Sequence, residues 1–215
     1  MPTNDIVPRN DFYAGFLYNK LLDPLTSHMR DLICTQIPEN THALDVGCGT
    51  GHQLLTMAPK IKAGTGVDLS DRMIAFANKL KEKKRLDHLS FELASAADLS
   101  QFGDNEFDLA NMTLVLHEME TELRIPALKE MVRVSKRQII TDYTASPGLF
   151  RSALTHLVEM TVGIFHYHLF RSYLKDGGAA GLFRKIGLNI VREETALLGT
   201  ARIWVCEKAF FSNSA

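Results

Sequence analysis

The chain has 215 residues, of which 46% are hydrophobic, with 24 basic and 25 acidic side chains and a formal net charge of −1. That length and apolar content suit one α/β domain with a sizeable core, and the balanced charge leaves no footprint for nucleic acid or an anionic membrane surface. Cys34, Cys48 and Cys206 are odd in number, far apart and outside any C-x-x-C pair, which argues against a disulfide or zinc framework and for the cytoplasm.

Residues 10–36 read as helical, with Phe12, Phe16, Leu17, Leu21, Leu22, Leu25, Met29, Leu32 and Ile33 at helical spacing. Pro24 is expected to break or kink that helix. Strands and helices then alternate. Residues 43–46 form a strand, 52–58 a short helix and 64–68 a second strand. Ser70 is placed to cap a helix running to about Lys84, with Asp71 in its first turn and a basic run at its C-terminal end. Residues 89–93 and 107–112 are the next strands. A helix over 123–134 follows, with Pro126 in its first turn, and then a strand over 138–141. Strict alternation of this kind implies a parallel sheet covered on both faces. After Tyr143 the pattern changes. Apolar pairs at 149/150, 153/154, 157/158 and 161/162 predict a broad amphipathic helix. Gly177-Gly178 precede a helix over 179–186, and residues 188–193 and 201–207 read as a closing pair of strands. No apolar stretch nears the roughly 20 residues that span a bilayer, and neither a signal peptide nor membrane insertion is expected.

The first strand runs into Leu44-Asp45-Val46-Gly47-Cys48-Gly49-Thr50-Gly51. Glycines at such a strand end let a ligand lie against bare backbone. The helix that starts beside them points unpaired N–H groups at the same place. A dinucleotide fingerprint begun at Gly47 needs a third glycine where His52 stands, so the loop fits that pattern poorly. Asp68 ends the second strand, where a carboxylate can accept from both hydroxyls of a ribose; this suits S-adenosylmethionine (SAM) and NAD equally. Asp98, beside the small Ala97, either accepts from an adenine amine or caps a short helix.

His117 lies just past the fourth strand, on the edge where open α/β sheets bind ligands. It is the candidate base, an imidazole of near-neutral pKa, with ordinary pocket lining as the alternative. His166 and His168 would share a side if their segment were extended. No cysteine or paired carboxylate stands near them to complete a metal site, so no metal is expected and they read as polar lining of a substrate pocket.

From Ala43 to about Tyr143 the chain resembles the small-molecule class I SAM-dependent methyltransferases. The glycine loop, Gly66-Val67-Asp68-Leu69-Ser70, Phe107-Asp108-Leu109-Ala110, Leu114-Val115-Leu116-His117 and Glu130-Met131-Val132-Arg133-Val134 carry the likeness. The flanks are similar to the ubiquinone/menaquinone C-methyltransferase branch, through Tyr18-Asn19-Lys20-Leu21-Leu22-Asp23-Pro24 and Gly199-Thr200-Ala201-Arg202. The branch usually has Tyr-Asp at 18–19 and a Lys-Pro-Gly-Gly turn where this chain has Lys136-Arg137-Gln138.

The resemblance implies a Rossmann-like, mostly parallel seven-stranded sheet with helices on both faces and one antiparallel strand near the C-terminus. It implies one domain over 1–215, with 1–36 as a helical cap and 146–176 as a helical insertion over the substrate. It places SAM against Asp45, Gly47, Gly49, Gly51, Asp68, Leu69, Met73, Ala97, Asp98 and Thr113, with Asp45 under the methionine end. The expected acceptor is a small apolar or aromatic molecule, methylated on oxygen or carbon. Asn111-Met112-Thr113-Leu114 stands where many DNA and glutamine N-methyltransferases carry Asn/Asp-Pro-Pro-Tyr, which disfavours those substrates. A non-catalytic SAM-binding protein on the same fold is the alternative.

Overall fold

Apolar runs too continuous for a one-sided sheet become strands buried on both faces, as parallel sheets require. In the computed structural model, which describes residues 16–145, 155–156, 159–160 and 163–208, the chain order is α1 (Phe16–Thr35), β1 (Thr41–Val46), α2 (His52–Met57), β2 (Ile61–Asp68), α3 (Asp71–Lys84), β3 (Leu89–Leu93) and β4 (Phe107–Thr113). It continues with α4 (Thr121–Val134), β5 (Ser135–Tyr143), α5 (Ile164–Lys175), α6 (Gly178–Ile186), β6 (Leu188–Ala196) and β7 (Ala201–Lys208). The seven strands form one sheet in the order β3-β2-β1-β4-β5-β7-β6. The pairs β1–β2, β1–β4, β2–β3 and β4–β5 are parallel. β7 alone runs antiparallel to its neighbours β5 and β6. All the parallel strands between β3 and β5 therefore end on one edge, where β1, β2 and β4 deliver the glycine loop, Asp68 and the approach to His117.

Successive strand residues point to opposite faces, and the core divides accordingly. Leu44, Val46, Ala110, Met112, Ile140 and Trp204 pack on one face, against Leu128 and Met131 of α4, Tyr173 of α5 and Phe183 of α6. Ala43, Leu109, Ile139 and Val205 pack on the other, against Met29 and Ile33 of α1, Leu54 and Met57 of α2 and Ala77 of α3.

The two ends of α3 show how local sequence sets a boundary. Ser70 is extended, and its hydroxyl accepts from the Met73 N–H at 3.3 Å. At the other end Arg85 turns left-handed and its N–H closes on Lys81 and Glu82, after a last turn rich in lysine that complements the helix dipole.

Three expectations need correction, and the extended geometry weighed for His166 and His168 does not apply. α1 continues through Pro24 without a break. α4 begins at Thr121 rather than 123, which moves Pro126 into the second turn, where only the bond to the Glu122 carbonyl is forgone. β5 follows α4 directly and is nine residues long, roughly twice the expected strand. The segment holding His166 and His168 is helical, because His166, Phe170 and Tyr173 are its buried positions and recur at helical spacing. His168 is exposed, away from that buried face. Residues 155–156 and 159–160 are helical, while the apolar pairs at 149/150, 153/154, 157/158 and 161/162, and residues 1–15 of the cap, lie outside the described residues.

Replacing Ser70 with Ala removes the side-chain acceptor at the start of α3. It is expected to lower stability by about 1 kcal/mol, read as a lower urea midpoint at unchanged slope. An unchanged midpoint would show that α3 starts without this cap.

Candidate active site

The loop after β1 is tied to β2 by its own backbone. The N–H groups of Gly47 and Cys48 both donate to the Val67 carbonyl, at 2.8 and 2.9 Å. Asp68 then holds both sides of the ligand edge. Its Oδ2 accepts from the Gly49 N–H and its Oδ1 from the Ser70 N–H, each at 2.9 Å. Gly47 and Gly51 are glycines for packing: a Cβ would stand 2.6 Å from Val115 and 2.8 Å from Phe91, respectively. Gly49 differs. It has φ +52, and a Cβ there would meet nothing within 4 Å, so its bare face opens onto space.

Beneath this loop Asp45 is 2% exposed. Its Oδ1 accepts from Asn111 Nδ2 at 2.6 Å, and Asn111 also bonds Thr113 Oγ1 at 3.1 Å. Its Oδ2 has no partner, the only carboxylate oxygen so placed among the described buried side chains. Burial pushes the Asp45 carboxyl up to about 7; the Asn111 hydrogen bond opposes the rise and the charge of Asp68 adds to it. The thiol of Cys48, buried in the same loop, is raised well above its ordinary range by burial and by the charges of Asp45 and Asp68.

Leu69 follows Asp68 with 59% of its surface exposed, unusual for a leucine at the end of a buried strand. Met73 is half-buried in the first turn of α3. Asp98 is exposed and its Oδ1 accepts from the Ser100 N–H at 3.2 Å, so it serves as a local turn acceptor. Ala97 and Asp98 border a shallow cleft shared with Ser100, Pro126 and Arg133, along α4.

His117 lies in a 3₁₀ turn, Leu116–Glu118, that follows β4. The chain leaves β4 through Leu114 at φ +57, a strained conformation for a leucine. His117 is buried, and its Nδ1 pairs with Asp142 Oδ1 at 2.7 Å. Burial alone lowers the His117 pKa, but the charge and hydrogen bond of Asp142 outweigh it, Glu118 and Glu159 add to them, and the net result is about 9. The near-neutral imidazole expected from sequence is therefore replaced by one that favours its charged form.

Aromatic rings close around it: Tyr143 at 4.8 Å, His166 at 5.5 Å, Phe170 and Tyr173 at 6.3 Å between centroids. His166 is itself bonded through Nε2 to the buried Glu159. The carboxylate partner that seemed missing from sequence is thus seven residues upstream. Arg124, fully buried on α4, bonds the Leu116 and Leu169 carbonyls and ties the turn to α5.

Sequence reasoning brought together Asp45, the three glycines, Asp68 and Thr113. It missed Asn111, Asp142, Glu159 and Arg124. Asp142 was within reach, since it stands near the end of β5 on the same sheet edge as the others.

Residues 43–138 match the family model for a methyltransferase domain. The chain is similar to the demethylmenaquinone methyltransferase of Chlamydia muridarum (strain MoPn / Nigg), at 31% identity over 187 residues, which cover 78% of this chain and 79% of that relative. It is also similar to the O-methyltransferase cnsE of Penicillium expansum, at 30% identity over 124 residues, 54% of this chain and 45% of that one. Among solved structures, the magnesium protoporphyrin IX methyltransferase of Synechocystis PCC 6803 with bound SAH aligns with a TM-score of 0.69 over 89% of this chain and 87% of the other. Its sequence identity is 17%, so that likeness concerns the fold.

The buried, half-satisfied Asp45 generates a stability prediction. Its folded pKa of about 7 stands above the ordinary aspartate value of 3.8, so the folded state binds the proton more tightly. The stability linked to that proton is lost as pH rises through about 7. Asp45→Asn keeps the shape and removes the charge. The variant is expected to be more stable than the parent near pH 8 by at least about 1 kcal/mol, with the difference shrinking toward pH 4. Parallel urea titrations at the two pH values check this; a gap that does not narrow at low pH would show that Asp45 is not the source.

Proposed function

The chain belongs to the class I SAM-dependent methyltransferases, and we propose that it methylates a small apolar or aromatic acceptor on oxygen or carbon. The observation that carries the acceptor reading is the aromatic enclosure of His117 by Tyr143, Phe170 and Tyr173, on the same sheet edge as the glycine loop. A net charge of −1 favours a small molecule over nucleic acid. Three free thiols fit a cytoplasmic protein, and no helix among the described residues is long and apolar enough to cross a membrane.

The cofactor fits the residues on the loop side. The partnerless Asp45 Oδ2 suits a cationic group such as the methionine ammonium. The open face of Gly49 suits close approach of a ligand to backbone. Asp68 spends one lone pair of each oxygen on Gly49 and Ser70, which leaves acceptor capacity for ribose hydroxyls. The exposed Leu69 offers an apolar surface for a flat base. Gly47, Gly51, Met73 and Thr113 complete the wall, with Ala97 and Asp98 at its far end.

When bound, SAM supplies an electrophilic methyl group on a sulfonium sulfur. The protein's share is then mostly positioning, which is worth several kcal/mol when reacting atoms are held in line. His117 orients the acceptor from the opposite side. With Asp142 behind it, the ring is fixed in one orientation and concentrates positive charge there, which favours an acceptor oxygen or enolic carbon that carries negative charge. α5 walls that end of the site, in keeping with its place in the expected 146–176 insertion. Incubation with SAM and a panel of phenols, hydroxyquinones and amines, with release of S-adenosylhomocysteine as the readout, tests the assignment.

Asp68→Ala is expected to weaken SAM binding at least tenfold, since each charge-assisted bond lost is worth roughly 1.5–3 kcal/mol. Calorimetry giving the parent Kd for the variant would remove Asp68 from the cofactor site. His117→Ala should lower kcat on the true acceptor by about 10²–10³-fold while leaving the SAM Kd nearly constant. A variant that keeps more than half the parent kcat would reduce His117 to a pocket wall.

A further inference from the structure

Two imidazoles and a carboxylate converge beside the acceptor end. One ligand atom from each of His117, Glu118 and His166 lies within 4.8 Å of the other two. His117 Nε2 is 3.9 Å from Glu118 Oε1. Both rings are buried, whereas the Glu118 side chain is 27% exposed, which gives an approach from solvent.

Each ring is also backed by its own buried carboxylate. Asp142 takes Nδ1 of His117, and Glu159 takes Nε2 of His166. Asp142 is fully buried and Glu159 is 2% exposed. This is the outer shell that metal-binding histidines use: the second ring N–H donates to a carboxylate, which fixes the tautomer and makes the other nitrogen a better ligand. By that logic the lone pairs fall on Nε2 of His117 and Nδ1 of His166.

The charges agree with a cation as well. Asp142, Glu118 and Glu159 are three carboxylates facing two rings.

We propose that His117, Glu118 and His166 form a binding site for a divalent first-row transition ion of the zinc type. Two imidazoles and one carboxylate, with a further position open, match the ligand set of catalytic zinc sites and do not suit magnesium or calcium, which take oxygen shells. Ligand atoms on a tetrahedral zinc stand about 3.3 Å apart, so a small contraction of the three side chains closes the shell. The open position would take an oxygen of the acceptor. A hydroxyl so held gives up its proton to water at lower pH than when free. The site rests on the acceptor reading above for its role, but its existence is measured without activity.

The test uses the full chain without an affinity tag, stripped with chelator and dialysed to equilibrium against zinc or, separately, magnesium. About one zinc per chain and no retained magnesium is the expected result, and cobalt in place of zinc should give a visible ligand-field spectrum. His166→Ala and Glu118→Gln should each weaken zinc binding at least about tenfold, and Asp142→Asn by about 10–100-fold. His168→Ala, exposed on the other side of α5, should bind as the parent does. Glu118→Gln changes one partly exposed atom and carries the test if His166→Ala does not fold. Zinc well below one equivalent overturns the site, as does parent-like zinc binding in Glu118→Gln and His166→Ala. A chain that binds no ion yet still forms S-adenosylhomocysteine sinks this site and leaves the proposed function standing; a chain that binds zinc but methylates nothing does the reverse.

Discussion

The turn that carries His117 depends on one buried cation, Arg124. Its side chain is fully enclosed, a costly position for a charge unless each of its nitrogens finds a partner. It does: Nε donates to the Leu116 carbonyl at 3.1 Å and Nη2 to the Leu169 carbonyl at 2.8 Å, while Nη1 reaches Ser172 Oγ and Asp176 Oδ2, both at 3.1 Å. A helix on one face of the sheet thereby holds the turn after β4 against α5. His117 and His166 belong to those two elements, so their 5.5 Å separation follows from this clamp. Loss of Arg124 would leave Asp176 with Lys185 as its remaining cation and free two segments at once.

Three aspartates at or near the ends of neighbouring strands show how one residue type is put to different uses by its surroundings. Asp68, at the end of β2, shapes the loop, since each oxygen takes a backbone N–H. Asp45, in β1, is shielded by Asn111 on one oxygen and bare on the other. Asp142, in β5, gives its charge to an imidazole. The parallel sheet makes this possible, because it brings side chains far apart in sequence to a single edge.

The sequence was most legible where the signal is local. The glycine loop, the Ser70 cap and the basic end of α3 each depend on a few adjacent residues, and each stands where expected. The conformation of the loop was less legible: only the structure separates Gly49, which faces open space, from Gly47 and Gly51, which make room for Val115 and Phe91. Pairings across the sheet were harder still. Asp142 and His117 are 25 positions apart and meet only because β4 and β5 are neighbours. For the His166 segment the sequence left the geometry conditional, and the buried face that decides it is set by Phe170 and Tyr173 further along. The partial duty of Asp45 left no trace in the sequence, since a missing partner is a property of three dimensions.

The raised pKa of Cys48 has a consequence for the protein's own chemical survival. If SAM lies against this loop as proposed, every nucleophile in the loop is exposed to alkylation, and sulfur is the most eager of them. Thiolates attack and thiols hardly do. Cys48 is 8% exposed and surrounded by the negative charges of Asp45 and Asp68, so its proton stays on throughout the physiological range. Burial first, and the neighbouring acids with it, therefore keep the Cys48 thiol unreactive, which lets the chain keep a cysteine in this loop without methylating itself.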